Sequence, residues 1–210
     1  MSSNPQPQTY HLKTPLSAED VLKINAGDTV YLTGTILTAR DEAHSRMIEF
    51  DEQKHSLPFD LEGAVVYHCG PVMELKEKKT DHGDCRTDAE WHVVAAGPTT
   101  SDRMTKMTPK VLVSHNIRAL IGKGGMENIA GTLSGKCIYL SYTGGCAALA
   151  VDMIEKVETV FWEDLGMPEA VWVLSVKEFG PLIVGVDAHG NDLFKDVKEK
   201  AKEKFLKISK

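Results

Sequence analysis

Hydroxyl, cationic and glycine residues concentrate in three short segments of the 210-residue chain, at points where strands are expected to end: residues 38–44, 97–104 and 121–126. In α/β proteins, binding and catalytic residues usually lie in the loops that follow the strands. The segments supply Arg40, Arg103 and Lys123 to a chain that is acidic overall. Three cations placed at strand ends predict a pocket for a small di- or tricarboxylate.

The first segment, residues 38–44, reads Thr-Ala-Arg-Asp-Glu-Ala-His. A helix that begins here would present free backbone N–H groups which, together with Arg40, attract an anion. The alternative is an ordinary helix start at which Arg40 pairs with Asp41 or with a distant carboxylate. Taken alone, the segment favours this second interpretation.

The second segment, Gly97–Met104, combines a Gly-Pro turn with three hydroxyl residues just before Arg103. A helix beginning near Thr100 would place Thr99 at its cap and Arg103 one turn later. One carboxylate could then receive backbone N–H groups, a hydroxyl hydrogen bond and a bidentate guanidinium. The alternative is that Thr99 or Thr100 only caps the helix.

The third segment, Ile121–Met126, places Lys123 among three glycines. Glycines let the backbone approach a ligand closely, and the lysine would supply a point charge. The segment is not a Walker A loop, because no Ser or Thr follows the lysine. A plain tight turn fits equally well, and residues 142–146 form a similar Gly-rich helix entrance with the same two interpretations.

The chain lacks the other groups that a complete active site would need. No Ser-His-Asp order, metal-ligand cluster or electrophile is found. The four cysteines form no CxxC pair, which argues against a zinc ribbon or a disulfide scaffold and predicts free, reduced thiols. His82 and Cys85 could be two metal ligands, but a surface loop is the better interpretation, so no metal site is predicted on this chain. We therefore expect a second chain to supply the missing groups of the active site.

Composition narrows the class of protein. The content of 42% hydrophobic and 26% charged residues is that of a folded globular chain. A net charge of −6 argues against general nucleic-acid binding. No apolar run approaches the ~20 residues of a membrane span, and residues 1–8 do not form a leader sequence, so we expect a cytoplasmic protein without membrane contact.

Hydrophobic periodicity predicts one mixed α/β domain. Ser17 and Asp20 match a capping box that opens a short helix to about Lys23. Thr29–Leu37 alternates and is rich in β-branched residues, which predicts a strand with Gly34 at a bulge or close approach. Further strands are predicted at 11–13, 64–68, 91–96, 137–140, 157–161, 170–176 and 182–186, helices at 40–52, 146–156 and 194–207, and a charged loop or hairpin at 74–90. No G-x-G-x-x-G follows the first strand, so a mixed sheet is favoured over a doubly wound Rossmann fold.

Several longer motifs resemble one family. The chain is similar to the β subunit, equivalent to the C-terminal domain of single-chain members, of the iron–sulfur hydro-lyases that comprise class I fumarate hydratase and L(+)-tartrate dehydratase. The resemblance covers about residues 10–195 and is carried by Tyr31–Thr35, Thr38–Asp41, Ala96–Thr100 with Arg103 and Met104, Gly122–Met126, Trp162–Met167, Phe179–Ile183 and His189–Asn191.

The resemblance implies an α/β fold, a single swivelling β/β/α domain with a mixed sheet, over residues 10–195. Residues 1–9 would be a flexible tail and residues 196–210 a C-terminal amphipathic helix. It also implies a partner α subunit that carries a [4Fe–4S] cluster, in a heterotetramer of two α and two β subunits. By motif match, Arg40, Arg103 and Lys123 would hold a small dicarboxylate and Thr99 would be the catalytic base.

The implied activity is the reversible hydration of fumarate to (S)-malate, because the motif Thr38–Arg40 is more similar to that of fumarase. The nearest alternative is L(+)-tartrate dehydratase, which forms oxaloacetate and water and which Lys177–Ile183 resembles at least as much. A non-catalytic carboxylate-binding module on the same scaffold is the alternative from another class. The presence of all three motif cations and of Thr99 argues against it.

Overall fold

The structure is a computed structural model that describes residues 6–77 and 89–208. The metal-ligand pair considered at His82 and Cys85 lies outside the described residues. The strands are β1 Thr9–Lys13, β2 Thr29–Thr38, β3 Val65–Tyr67, β4 Val72–Glu77, β5 Ala89–Ala95, β6 Ala119–Gly122, β7 Ile138–Ser141, β8 Ile154–Phe161 and β9 Val171–Val186. The helices are α1 Ala18–Leu22, α2 Asp41–Glu52, α3 Thr108–Ser114, α4 Ala130–Leu133, α5 Ala147–Val151 and α6 Leu193–Ile208.

The main sheet is mixed, as predicted. β1, β2, β3, β6 and β7 run parallel to one another, and β9 runs antiparallel to β7, to β2 and to β8. Because β9 pairs with both β7 and β2, the strands β2, β3, β6, β7 and β9 close into a ring. β4 and β5 form a separate antiparallel hairpin, so the described parts of the charged segment 74–90 belong to hairpin arms. The mixed α/β class is confirmed.

Alternation along the short parallel strands divides the core between two faces. Val65 and Tyr67 pack in one hydrophobic cluster, together with β9 residues such as Trp172 and Phe179. Val66, between them, packs in a second cluster with side chains from α2 and α3. Successive strand residues point to opposite faces, so each strand is apolar on both. This arrangement holds the strand ends rigidly beneath the loops that follow them.

Several predictions from short sequence patterns are confirmed by the structure. The capping box is formed, with Asp20 N–H donating to Ser17 Oγ at 3.1 Å and Ser17 N–H donating to Asp20 Oδ2 at 3.0 Å. The Lys23 ammonium at 2.8 Å and the backbone N–H of Ser17 lower the pKa of Asp20 to about 2. At Gly34 the ladder shifts register, and a Cβ there would meet Thr14, so the predicted close approach is confirmed.

Three predicted elements are wrong in extent. The helix predicted over 146–156 is only the five residues of α5, and the chain enters β8 at Ile154. Its apolar residues are spaced so that they fit a short helix followed by a strand. The two strands predicted at 170–176 and 182–186 form one continuous strand, β9, whose two ends pair with different neighbours. Within the described ranges no helix is long and apolar enough to cross a bilayer.

Candidate functional site

The predicted site segments meet at one edge of the sheet. β2, β3, β6 and β7 are parallel and therefore end on the same side. The residues that follow these ends include Arg40 after β2, His68 after β3 and Lys123 after β6. Ligands of open α/β sheets bind outside the carboxyl ends of the strands. This edge is thus the place where the sequence prediction and the topology agree.

The segment Gly97–Ser101 lies between the ends of β3 and β6. Thr99 N–H donates to the His68 carbonyl at 2.7 Å, and Lys123 N–H donates to the Thr99 carbonyl at 3.1 Å. Ser101 N–H donates to the Lys123 carbonyl at 3.0 Å. The segment is therefore held like a short extra strand. Thr99 and Lys123, 24 positions apart in the sequence, become direct neighbours.

The prediction that Thr99 caps a helix is wrong. A 3-10 helix spans Ser101–Met104 with Thr100 at its N-cap position, and no side chain caps it. Thr99 cannot occupy a cap because its N–H and C=O groups are both bonded across to neighbouring strand ends. The Thr99 side chain is half-buried, and its hydroxyl has no hydrogen-bond partner among residues 6–77 and 89–208. It is free to act on a ligand.

The Arg103 guanidinium is held by Asp41, at the first position of α2. Arg103 Nε donates to Asp41 Oδ1 at 3.2 Å, and Arg103 Nη2 lies 2.7 Å from Asp41 Oδ2. The first contact is a hydrogen bond and the second is an ion-pair contact, because Asp41 Oδ2 is buried and accepts no hydrogen bond among the described residues. Half of the Arg103 side chain is exposed. The Arg103 guanidinium thus already pairs with a carboxylate of this chain, and its role in binding a substrate stays a prediction.

Arg40 pairs with a distant carboxylate, as the alternative interpretation of residues 38–44 predicted. Arg40 Nη2 lies 3.3 Å from Glu169 Oε1, and both side chains are about four-fifths buried. Arg40 Nε is buried and has no hydrogen-bond partner among the described residues. Gly70 faces the guanidinium, where a Cβ would collide with Arg40 Nη1. An unsatisfied buried donor is costly, so Arg40 has an unused capacity to bind an acceptor.

Lys123 differs from the two arginines because it forms no ion pair with the part of the chain that the structure describes. Its side chain is exposed, and its stem passes over Gly144, where a Cβ would lie 3.0 Å from Lys123 Cδ. A positive φ of 75° at Gly124 turns the chain immediately after it. The ammonium is available to an anion at the edge where Thr99 lies.

A buried polar network beneath the edge was missed by the sequence reasoning. His68 Nδ1 lies 2.8 Å from Ser101 Oγ, and the Tyr139 hydroxyl lies 3.0 Å from the same oxygen while donating to the Gly124 carbonyl at 2.7 Å. A Cβ at Gly122 would collide with Ser101 Oγ, so the network requires glycine there. The available signal was the position of His68, directly after an apolar strand, where Arg40 and Lys123 also lie.

Burial keeps the histidines of this network neutral at pH 7. Desolvation lowers the pKa of His68 well below its ordinary value of 6.5, and the neighbouring His44 lowers it further. The His44 ring packs edge-on to the His68 ring at 5.4 Å, and desolvation also lowers the pKa of His44. A neutral imidazole fits a positioning role for Ser101 better than an anion-binding role.

The described cysteines are not activated thiols. Cys69, Cys137 and Cys146 are free and buried. Burial raises the pKa of Cys69 and of Cys137 to about 12, which leaves both protonated at neutral pH. Within residues 6–77 and 89–208, no group of three or more His, Cys, Asp or Glu could hold a metal ion. The described donor set does not fit an iron–sulfur cluster on this chain.

Comparison with known proteins shows which family the sequence resembles. The family described as Fumarase C-terminus matches residues 2–197. The L(+)-tartrate dehydratase subunit beta of Escherichia coli K12 is 41% identical over 190 residues, which cover 90% of this chain and 88% of that protein. A putative L(+)-tartrate dehydratase subunit beta of Methanocaldococcus jannaschii is 43% identical over 196 residues, 92% of this chain and 95% of that protein.

A third relative joins this region to a longer chain. The putative class I fumarate hydratase of Geobacillus stearothermophilus is 36% identical over 206 residues, which are 97% of this chain but only 37% of that protein. The resemblance deduced from the motifs is confirmed. Because the family match spans nearly the whole sequence and includes every segment at the strand edge, the chain belongs to the Fumarase C-terminus family, with beta subunits of L(+)-tartrate dehydratase and a class I fumarate hydratase among its relatives.

Proposed function

We propose that this chain is the β subunit of a hydro-lyase that adds water to, or removes it from, a four-carbon dicarboxylate. One observation carries the proposal. Thr99, whose hydroxyl is free, is bonded through its backbone to Lys123, whose ammonium is unpaired among the described residues. A proton-transfer group and an anion-binding group are thus neighbours at the edge where two further arginines lie. The tartrate dehydratase and fumarate hydratase relatives support this reaction class.

The cations divide between the two ends of such a substrate. Lys123 attracts a carboxylate as a point charge, while Arg103 offers a planar fork. The Arg103 guanidinium pairs with Asp41, so a substrate carboxylate must replace or share this partner. Arg40 contributes a buried Nε donor that has no acceptor among the described residues. A dianion would therefore satisfy groups that the chain alone leaves incomplete.

We propose that Thr99 is the base. In dehydration, the Thr99 alkoxide takes the proton from the carbon next to a carboxylate, the electron pair forms the double bond, and hydroxide leaves from the adjacent carbon. A threonine hydroxyl is a very poor base unless its anion is stabilised, and nearby cations and exclusion of water provide that stabilisation. On this chain we assign that role to Lys123, whose backbone N–H donates to the Thr99 carbonyl, and to Arg103.

A second chain completes this assignment. The described residues do not fit an iron–sulfur cluster, so we propose that the cluster belongs to an α subunit. The relatives from Escherichia coli and Methanocaldococcus jannaschii are each called a subunit beta, which supports a two-subunit arrangement. The α subunit would supply the electrophile that this chain lacks.

Fumarate is our first proposed substrate, with (S)-malate as its hydration product. The fumarate hydratase relative aligns with 97% of this chain, and Thr38–Arg40 carries the fumarase-like motif. L(+)-tartrate is the second candidate, favoured by the higher identities of 41% and 43% with tartrate dehydratase beta subunits. Both are four-carbon dicarboxylates, which the three cations accommodate equally.

The test is a substrate panel on the anaerobically reconstituted pair. Fumarate, (S)-malate and both tartrate enantiomers are supplied separately, and products are identified by NMR. Arg103→Lys should lower kcat/KM for the preferred substrate by about 30- to 150-fold, because the charge remains but the fork is lost. The exposed Lys106→Arg is the matched control and should behave as wild type. Binding of dicarboxylates with no turnover of any of them would establish the non-catalytic module instead.

A further inference from the structure

We propose that Glu169 is a positioning residue for Arg40: its carboxylate anchors the start of α2 and fixes the direction in which the Arg40 guanidinium faces the substrate. The inference rests on the proposed function for the role of Arg40 in binding. Glu169 lies at the end of the loop Trp162–Glu169, which follows β8. The proposed mechanism assigns no other role to this loop.

Glu169 supplies a helix cap from a distant part of the chain. α2 begins after Arg40, whose own side chain makes no capping bond. The N–H of Glu42, in the first turn of α2, instead donates to Glu169 Oε2 at 3.1 Å. An oxygen acceptor at this position satisfies one of the free N–H groups of a helix start, and its negative charge is favoured there. Glu169 Oε2 therefore caps the start of α2.

The other oxygen of Glu169 forms an ion pair with Arg40. Glu169 Oε1 lies 3.3 Å from Arg40 Nη2, in a pair of which only 19% and 18% of the side chains are exposed. A long side chain held between a carboxylate and packed backbone has few rotamers left. The packed backbone is that of Gly70, where a Cβ would meet both Arg40 Nη1 and the Pro168 carbonyl. Gly70 and the Pro168–Glu169 segment thus confine Arg40 from two sides.

This confinement leaves one part of the guanidinium unused. Nη2 is engaged by Glu169 and Nη1 lies against Gly70, while the buried Nε has no acceptor among the described residues. Binding a carboxylate through a side chain that is already ordered costs less conformational entropy than binding through a mobile one. Loss of Glu169 should therefore weaken substrate binding through Arg40 rather than slow proton transfer at Thr99.

The kinetic test uses the full chain reconstituted with its α subunit. Glu169→Gln keeps an oxygen acceptor for the Glu42 N–H and removes the charge that holds Arg40. We expect KM to rise about 10-fold while kcat stays within about 3-fold of wild type. This pattern is expected when a variant loses an interaction that binds the substrate and the transition state equally. In an Arg40→Met background the same change should alter KM less than about 2-fold, because residues that act as a unit are not additive. Glu163→Gln, at an exposed position of the same loop, is the matched control.

A second measurement does not depend on activity. In the isolated full chain, the Arg40 Nε–H resonance is assigned by its loss in Arg40→Lys, and its hydrogen exchange is followed by NMR. Exchange should become about 10-fold faster or more in Glu169→Gln and stay unchanged in Glu163→Gln, since local opening governs exchange. Unchanged exchange, or a KM effect that persists in full without Arg40, would overturn the proposal. If the reconstituted pair turns over no substrate, the proposed function fails, and the exchange result alone decides whether Glu169 positions Arg40.

Discussion

Thr99 is the residue on which the chemistry of this chain depends most. Its backbone is bonded on both sides, to His68 and to Lys123, so its position is set by the sheet rather than by its own side chain. Its hydroxyl makes no bond to the residues the structure describes. The hydroxyl oxygen is not fully buried, so water or a ligand can reach it. The free hydroxyl therefore fits a group that acts on a ligand.

We predict that Thr99→Ala lowers kcat by roughly 10²- to 10⁴-fold with little change in KM, because proton transfer to a positioned group is typically worth that factor. The thermal midpoint should change little, since Thr99 caps no helix. Thr99→Ser retains the hydroxyl and should restore much of the turnover. Steady-state kinetics and thermal melts on the reconstituted pair measure all three quantities.

The neighbouring Thr100 provides the control. It lies in the same motif, is exposed, and its side chain makes no capping bond. Thr100→Ala should leave kcat within about 3-fold of wild type. A Thr99→Ala enzyme with normal kcat would remove Thr99 from the mechanism and leave the cations as a binding site only.

At the scale of elements, the loops at the strand ends are held together from below. Ser101 begins the 3-10 helix and contacts both His68, at the end of β3, and Tyr139, on β7. Tyr139 in turn donates to Gly124, in the loop that carries Lys123. Three loops are thus connected through one buried network. Burial in this network lowers the pKa of His68 and so favours its neutral form.

This predicts a loss of stability in acid. The folded-state pKa values of His68 and His44 are depressed, so the unfolded chain binds more protons as the pH falls below about 6.5. Stability is then fully present above pH 6.5 and decreases below it, by up to about 1.4 kcal/mol per pH unit for each histidine. Urea unfolding between pH 5 and 7.5 measures the slope.

Two variants isolate the contribution of the network. His68→Asn keeps a polar atom near the position of Nδ1 but does not titrate, so its stability should fall less steeply with acid than that of wild type. The exposed His92→Gln should retain the wild-type slope. Parallel curves for wild type and His68→Asn would show that protonation of His68 does not limit stability.

At the scale of the molecule, the site is built on one side of a closed ring of strands. Its described residues include no metal-ligand cluster that could act as an electrophile. We predict that the separately expressed chain binds no stoichiometric iron or sulfide and shows no hydratase activity, because it has no CxxC pair and no cysteine trio at cluster spacing. Iron and sulfide analysis under anaerobic conditions measures this. The co-expressed pair is the control and should be brown, oxygen-sensitive and active. Stoichiometric iron on the isolated chain would contradict the division of labour between the subunits.

What the sequence determines by itself is local. The capping box at Ser17 and the strand predicted over Thr29–Leu37 depend on patterns of a few residues, and both are formed. Burial alternates along the first half of β2, whereas Ile36, Leu37 and Thr38 are all buried. Arg40 and Lys123 were identified because each directly follows an apolar run, and a chain leaving a buried strand must turn at the sheet edge. The longer motifs indicated the family, which the match over residues 2–197 confirms.

Other features depend on pairing between distant residues, which periodicity does not encode. β6 has only four residues, too few for a pattern to show, although it carries Lys123 at its end. The closed ring arises because β9 continues through two predicted strands and pairs with both β2 and β7. Only the assembled sheet could show that Thr99 is a strand-like residue rather than a helix cap.

The same holds for the partners of the cations. Asp41 and Arg103 are 62 positions apart, and Arg40 and Glu169 are 129 apart, so only the tertiary structure brings each pair together. A sequence shows which side chains can carry charge, because that property belongs to the residue. Which carboxylate neutralises which cation, and which cation remains for a ligand, depends on distance and burial. Those are set by the packing of the whole chain.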